Sequence, residues 1–109
     1  MKPARGREQA GRRPALVVSV DAINRQPLVI TVVPGTDTSN VARDYPTNVR
    51  VSAKNTNLPS DTVFLCFQIR SLDHSRFLDS KNGQPMRAGS MPVEEMERVD
   101  SALRLVLGL

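Results

Sequence analysis

Apolar residues come in short runs and alternations through most of this chain, and switch to helical spacing only at its end. Residues 15–19 form a brief continuous apolar run, which suits a strand covered on both faces. Residues 21–27 are rich in Asn, Gln and Pro and read as a connection. A second β-branched run spans 28–33 and is expected to end at Pro34-Gly35. Residues 36–46 are polar and read as a loop. From 47 to 53 the pattern alternates, with Thr47, Val49, Val51 and Ala53 on one side and Asn48, Arg50 and Ser52 on the other.

A turn region covers 54–61. The longest expected strand is 62–70, with Val63, Leu65, Phe67 and Ile69 on its apolar face. A short helical turn fits 72–78, Asn82-Gly83 signals a turn within 79–85, and 86–89 suits a last short strand. The end is a helix over 92–107. Met96, Val99, Leu103 and Val106 recur every three or four residues and draw one apolar stripe. Ser90 is placed to cap it and Pro92 falls in its first turn. Glu94 and Glu95 sit where the helix dipole favours anions, and Gly108 is placed to close its end. Glu94 with Arg98, and Asp100 with Arg104, are spaced for surface ion pairs. Several strands followed by one amphipathic helix predict a small, strongly curved antiparallel sheet or barrel with that helix packed on it.

At 109 residues, one domain is expected over 1–109: a basic arm or loop over 1–13, strands and loops over 14–89, and the terminal helix over 92–107. Hydrophobic residues make up 39% and charged residues 24%, which fits a globular chain rather than a disordered one. No apolar run is long enough for a bilayer and no signal peptide is visible, so a cytoplasmic protein without membrane contact is expected. Cys66 is the lone cysteine and lies within an apolar pattern, so we read it as a buried, unreactive thiol. His74 is the lone histidine, which removes most zinc sites and the Ser-His-Asp scheme. The net charge of +4 suits a polyanion, and equally a plain solvated surface.

Four segments, in order, resemble the MazF/PemK/Kid toxins, the endoribonucleases of type II toxin–antitoxin pairs. Glu8-Gln9-Ala10-Gly11-Arg12-Arg13-Pro14-Ala15-Leu16-Val17-Val18-Ser19 resembles the family's loop and strand entry. Val32-Val33-Pro34-Gly35-Thr36 resembles a strand end that closes in a Pro-x-Thr turn. Tyr45-Pro46-Thr47-Asn48-Val49, Leu58-Pro59-Ser60-Asp61 and Leu65-Cys66-Phe67-Gln68-Ile69-Arg70-Ser71-Leu72-Asp73 resemble its central hairpin, and residues 94–103 its last helix. The resemblance implies a mainly β fold with a C-terminal helix, an SH3-like small barrel of the CcdB/PemK type. The family's first strand, which usually carries a tryptophan, has no counterpart ahead of Glu8, and the chain has no Trp. A barrel left open on that side is therefore expected.

The resemblance further implies metal-independent cleavage of single-stranded RNA, often mRNA, at short sequences by a homodimer without a cofactor. A cognate antitoxin would neutralise it, and DNA would be met only through the antitoxin complex. Arg13 matches the family's active-site arginine, and its guanidinium suits phosphate oxygens. Thr36 matches a phosphate-contacting threonine. Glu8 matches a loop glutamate that would orient Arg13 or accept a proton. Arg12, Gln68 and Arg70 are candidate RNA contacts, the last two sharing one face of the strand over 62–70. Phe67 stands where family members often have an aspartate, and by alternation it is expected in the core. Two other readings stay open: a non-catalytic relative that binds the antitoxin, and a poison of a protein target such as DNA gyrase, an activity found on a similar barrel.

Overall fold

The computed structural model describes residues 13–19, 29–73 and 88–109. Glu8, Arg12, the arm over 1–12, the connection over 21–27, His74 and the turn over 79–85 lie outside them. Five strands are present: β1 (Ala15–Val17), β2 (Val29–Asp37), β3 (Asn48–Val51), β4 (Thr62–Leu65) and β5 (Arg70–Asp73). One helical turn, α1 (Ala53–Thr56), follows β3, and the long helix α2 (Val93–Leu107) ends the chain.

β2 organises the sheet. One of its edges pairs with β1 through Ala15↔Pro34, Leu16↔Val33 and Val17↔Val32. Its other edge pairs first with β5, from Val29↔Asp73 to Val32↔Arg70, and then with β4, from Gly35↔Phe64 to Asp37↔Thr62. β3 pairs with β4, giving the order β1-β2-β4-β3. Every pairing is antiparallel, and no described pairing joins β1 to β3. The fold is thus mainly antiparallel β with a C-terminal helix, as the element order led us to expect, and its sheet is open, as the resemblance implied.

β2 does not end at Pro34-Gly35. It runs on to Asp37, because Gly35 lets the strand pass beneath a large side chain. A Cβ there would lie 2.8 Å from Thr62 Cγ2 and 2.9 Å from the Phe64 ring. The expected strand over 62–70 is broken by a 3-10 turn at Cys66–Gln68. The turn shifts the register against β2 by three residues, since paired numbers sum to 99 in β4 (Gly35, Phe64) and to 102 in β5 (Val32, Arg70). The alternation therefore fails beyond Leu65: Phe67 is 53% exposed rather than in the core. Residues 72–73 continue β5 instead of starting a helical turn. Residues 88–89 carry no strand. Ser52 caps α1 where a turn was expected, and Asn57 closes it in the left-handed conformation.

α2 packs on one sheet face. Val33, Val49, Val51, Phe64 and Cys66 meet Val99 and Ala102, with Met96, Leu103 and Val106 at the border. Burying such a side chain contributes roughly 1.5–3 kcal/mol, against about 0.5–1.5 for a net hydrogen bond. This face, more than any polar tie, seats the helix. Pro92 rather than Ser90 occupies the cap, with no side-chain bond, and Gly108 closes the helix at positive φ. Neither expected ion pair forms; Arg98 Nη2 instead donates to the Arg50 carbonyl at 2.8 Å. Burial pushes the Cys66 thiol up to about 11, consistent with an unreactive core residue.

Two glycines test this packing. A Cβ at Gly89 would sit 2.2 Å from the Thr56 carbonyl oxygen, in a contact fixed by the Ser90 N–H donating to that oxygen at 2.9 Å. Gly35→Ala meets side chains that can shift, and is expected to lower stability by roughly 1–3 kcal/mol. Gly89→Ala meets backbone, and should cost more. Urea unfolding followed by circular dichroism measures both, and a smaller loss for Gly89→Ala would refute the ranking.

Candidate RNA-binding face

Directly opposed residues of an antiparallel pair point to the same face. Along β2, Val33 and Gly35 face the helix, so Ile30, Val32, Pro34 and Thr36 face away from it. The bond from Gly35 N–H to the Pro14 carbonyl, 2.9 Å, carries the β1–β2 ladder one step past Ala15↔Pro34. Extended two residues beyond β1, the same register would set Arg13 opposite Thr36, at a position without backbone hydrogen bonds. Thr36 is in turn opposite Val63, and Val63 is opposite Arg50. Thr36, Val63 and Arg50 thus form one row across β2, β4 and β3, and the β1 register, extended past Ala15, leads Arg13 to the Thr36 end of it. Arg70, opposite Val32, lies on the same face about 13 Å along β2 from Thr36, at the usual strand rise.

The row has a graded environment. Val63 is fully buried and Thr36 is 6% exposed, whereas Arg13 and Arg70 are exposed. Gln68 is exposed in the 3-10 turn, so it does not share a strand with Arg70 as expected. Arg13 lies two residues ahead of β1, on a register that leads toward Thr36, and Arg70 is opposite Val32 on β2; Glu8 and Arg12 lie outside the described residues. Among those described, no group of three or more His, Cys, Asp or Glu could hold a metal ion.

Two features beside Thr36 were not anticipated. Asn40 Nδ2 donates to Thr36 Oγ1 at 3.0 Å. Asn40 ends a 3-10 turn, Thr38–Asn40, whose cap is Asp37: its Oδ1 accepts from the Ser39 N–H at 3.0 Å. Arg50 braces the far side of the same loop. Its Nη2 donates to the Val41 carbonyl at 3.0 Å and its Nε pairs with Asp44. The Asp37-Thr-Ser order is a local capping signal readable in sequence. The Asn40 and Arg50 contacts depend on how the loop folds back, for which no local signal exists.

A sheet face bearing a hydroxyl between arginines can bind and polarise a phosphodiester. An open antiparallel sheet backed by one helix defines a small open-barrel protein. The chain belongs to the family of PemK-like, MazF-like toxins of type II toxin–antitoxin systems, which it matches over residues 1–107. It is 40% identical to Endoribonuclease MazF9 of Mycobacterium tuberculosis (strain ATCC 25618 / H37Rv) over 114 aligned residues, which cover 100% of this chain and 89% of that protein. The crystal structure of MazF (Form-I) from Deinococcus radiodurans is 31% identical, with a TM-score of 0.66 over 98% of this chain and 86% of that one. An endoribonuclease in complex with its cognate antitoxin, from a mycobacterial species, is similar in fold at 24% identity and a TM-score of 0.68, covering 94% and 87% of the two chains.

The Asp37 cap has a pH signature. Hydrogen bonds from the Ser39 backbone, the Ser39 hydroxyl and Ser60 hold its carboxyl below the ordinary 3.8. The depressed value means that the ionised form stabilises the turn: the contribution is fully present above 3.8 and fades as pH falls through the lower folded value. In an acid titration followed by two-dimensional NMR, the Ser39 amide is expected to shift with a midpoint below 3.8, and a midpoint at or above it would mean that the cap does not form.

Proposed function

We propose that this chain is the endoribonuclease toxin of a type II toxin–antitoxin pair, cutting single-stranded RNA, mRNA included, at short sequences without a metal. The adjacency of Arg13 and Thr36 on the sheet face turned away from α2 carries the reading. The kinship to Endoribonuclease MazF9 supports the class of reaction.

In this chemistry the ribose 2′-oxygen bonds to the neighbouring phosphorus and its proton passes to a base. The bond from phosphorus to the 5′-oxygen breaks, and that oxygen takes up a proton. The products are a 2′,3′-cyclic phosphate and a 5′-hydroxyl. Negative charge accumulates on the non-bridging oxygens in the transition state. The Arg13 guanidinium can neutralise it in a bidentate grip and supply the proton to the leaving oxygen, while the Thr36 hydroxyl binds the same phosphate. Glu8 serves as the group that orients Arg13 or takes the 2′-proton. Arg70, with Arg12 and Gln68, extends the contact along the flanking nucleotides.

The chain works as a homodimer in this proposal, and a cognate antitoxin silences it, by likeness to the mycobacterial endoribonuclease solved with its antitoxin. Contact with DNA runs only through that complex. No helix among the described residues is long and apolar enough to cross a membrane, and we place the toxin in the cytoplasm with its mRNA substrate.

Purified chain incubated with long single-stranded RNA and excess chelator is expected to yield discrete fragments ending in a cyclic phosphate. Arg13→Ala should lower the single-turnover rate by roughly a hundredfold to a thousandfold, as loss of one oxyanion-stabilising group typically does, with the circular dichroism spectrum unchanged. Cutting that requires added magnesium, or full activity in Arg13→Ala, would overturn the mechanism. Antitoxin binding without any cutting would favour a non-catalytic relative instead.

A further inference from the structure

A threonine hydroxyl has one hydrogen to give and two lone pairs to offer. In this structure Thr36 Oγ1 receives a hydrogen from Asn40 Nδ2 at 3.0 Å, so one lone pair is engaged. Among the described residues, no acceptor takes the hydrogen of Thr36 itself. The residue is 6% exposed and β-branched, so its side chain has little rotational freedom. The amide therefore fixes the position of the oxygen and limits the directions in which its hydrogen can point.

Asn40 is itself held from both sides. Ahead of it, Asp37 caps the 3-10 turn through the Ser39 N–H, and the Thr38 N–H donates to the Asp61 carbonyl at 3.2 Å. Behind it, the Val41 N–H closes the turn on the Thr38 carbonyl at 3.2 Å, while Arg50 grips the Val41 carbonyl at 3.0 Å. A single exposed asparagine would not hold a hydroxyl in place. One whose backbone is tied at Thr38, Ser39 and Val41 can.

We propose that Asn40 is a positioning residue for RNA cleavage: its side-chain amide fixes the Thr36 hydroxyl as a donor aimed at a non-bridging oxygen of the scissile phosphate. This rests on the reading of Arg13 and Thr36 given above. The direction of the bond is what matters. A group at position 40 that could only accept would capture the Thr36 hydrogen, and the phosphate would then face two competing acceptors in place of a donor.

The test uses the full chain, a long single-stranded transcript to map a cut site, and then a fluorophore–quencher RNA oligonucleotide spanning that site, with chelator present. Asn40→Ala is expected to lower kcat roughly tenfold, the worth of one well-placed hydrogen bond, with KM within about twofold. Asn40→Asp keeps the shape but loses the donor, and should fall further, by roughly a hundredfold. In a Thr36→Val background, Asn40→Ala should cost nothing more, because its only route to the phosphate is gone. A purely structural role would instead lower activity in both backgrounds. Full kcat in Asn40→Ala, or an undiminished loss in the Thr36→Val background, overturns this inference and leaves the Arg13–Thr36 reading standing. No cutting by the native chain, or full activity in Thr36→Val, overturns both. Should Asn40→Ala fail to fold, Asn40→Asp decides alone: unchanged kcat overturns the inference.

Discussion

One strand holds this molecule together. β2 pairs with β1 on one edge and with both β5 and β4 on the other, so three of the other four strands take their position from it. A strand used on both edges has its backbone groups committed along most of its length, and its central residues are also buried on both faces: Val33 under α2, Val32 on the opposite side. The arrangement depends on Gly35. A Cβ there would press on Thr62 and the Phe64 ring, so glycine lets β2 continue beneath them without displacing either, and that continuation places Thr36 opposite Val63.

The 3-10 turn at Cys66–Gln68 is the second constraint. By slipping the register by three residues it lets one edge of β2 serve two strands that follow each other in the chain, and it bends the sheet where they meet. The inward residue of that turn, Cys66, joins the core under the helix, while Phe67 and Gln68 are turned out to solvent. Both faces carry buried apolar side chains, Val33, Val49 and Phe64 under the helix and Ile30, Val32 and Val63 on the other side; that second face also carries Thr36, Arg50 and Arg70.

Much of this was legible in sequence, and the failures have physical causes. The α2 stripe of Met96, Val99, Leu103 and Val106 was readable because a helix writes its buried face at fixed spacing, and that face meets a single partner surface. Val49 and Val51 were readable for the same reason in a strand. Phe67 was misread because period-two reasoning cannot see an inserted turn: Leu65 and Ile69 are half-buried on either side of it, so the alternation looks unbroken. The end of β2 was misread because Pro34-Gly35 is a common turn signal, and its use for close passage of a strand depends on Phe64, distant in sequence. For the site, resemblance singled out Arg13 and Thr36 where composition could not. Neither resemblance nor spacing pointed to Asn40 or Arg50, since their partners are set by a loop conformation.

In the proposed function, that loop would let a basic face single out one phosphate. Arg50 lies in the row with Thr36, yet its guanidinium is committed to Asp44 and the Val41 carbonyl, so it contributes rigidity more than free charge. Arg13 and Arg70 make no ion pair among the described residues and, in the proposed function, would carry the attraction for a polyanion. Attraction alone would bind any phosphate along a chain. Cutting requires one phosphate to be held with its oxygens against fixed donors, and fixed donors contribute to catalysis because they need no reorganisation when charge develops. A loop capped at Asp37, closed at Val41 and clamped by Arg50 provides that fixity next to Thr36. In the proposed function, Arg70 would thus add affinity along the chain, while Arg13 and the braced Thr36 hydroxyl would hold the phosphate that is cut.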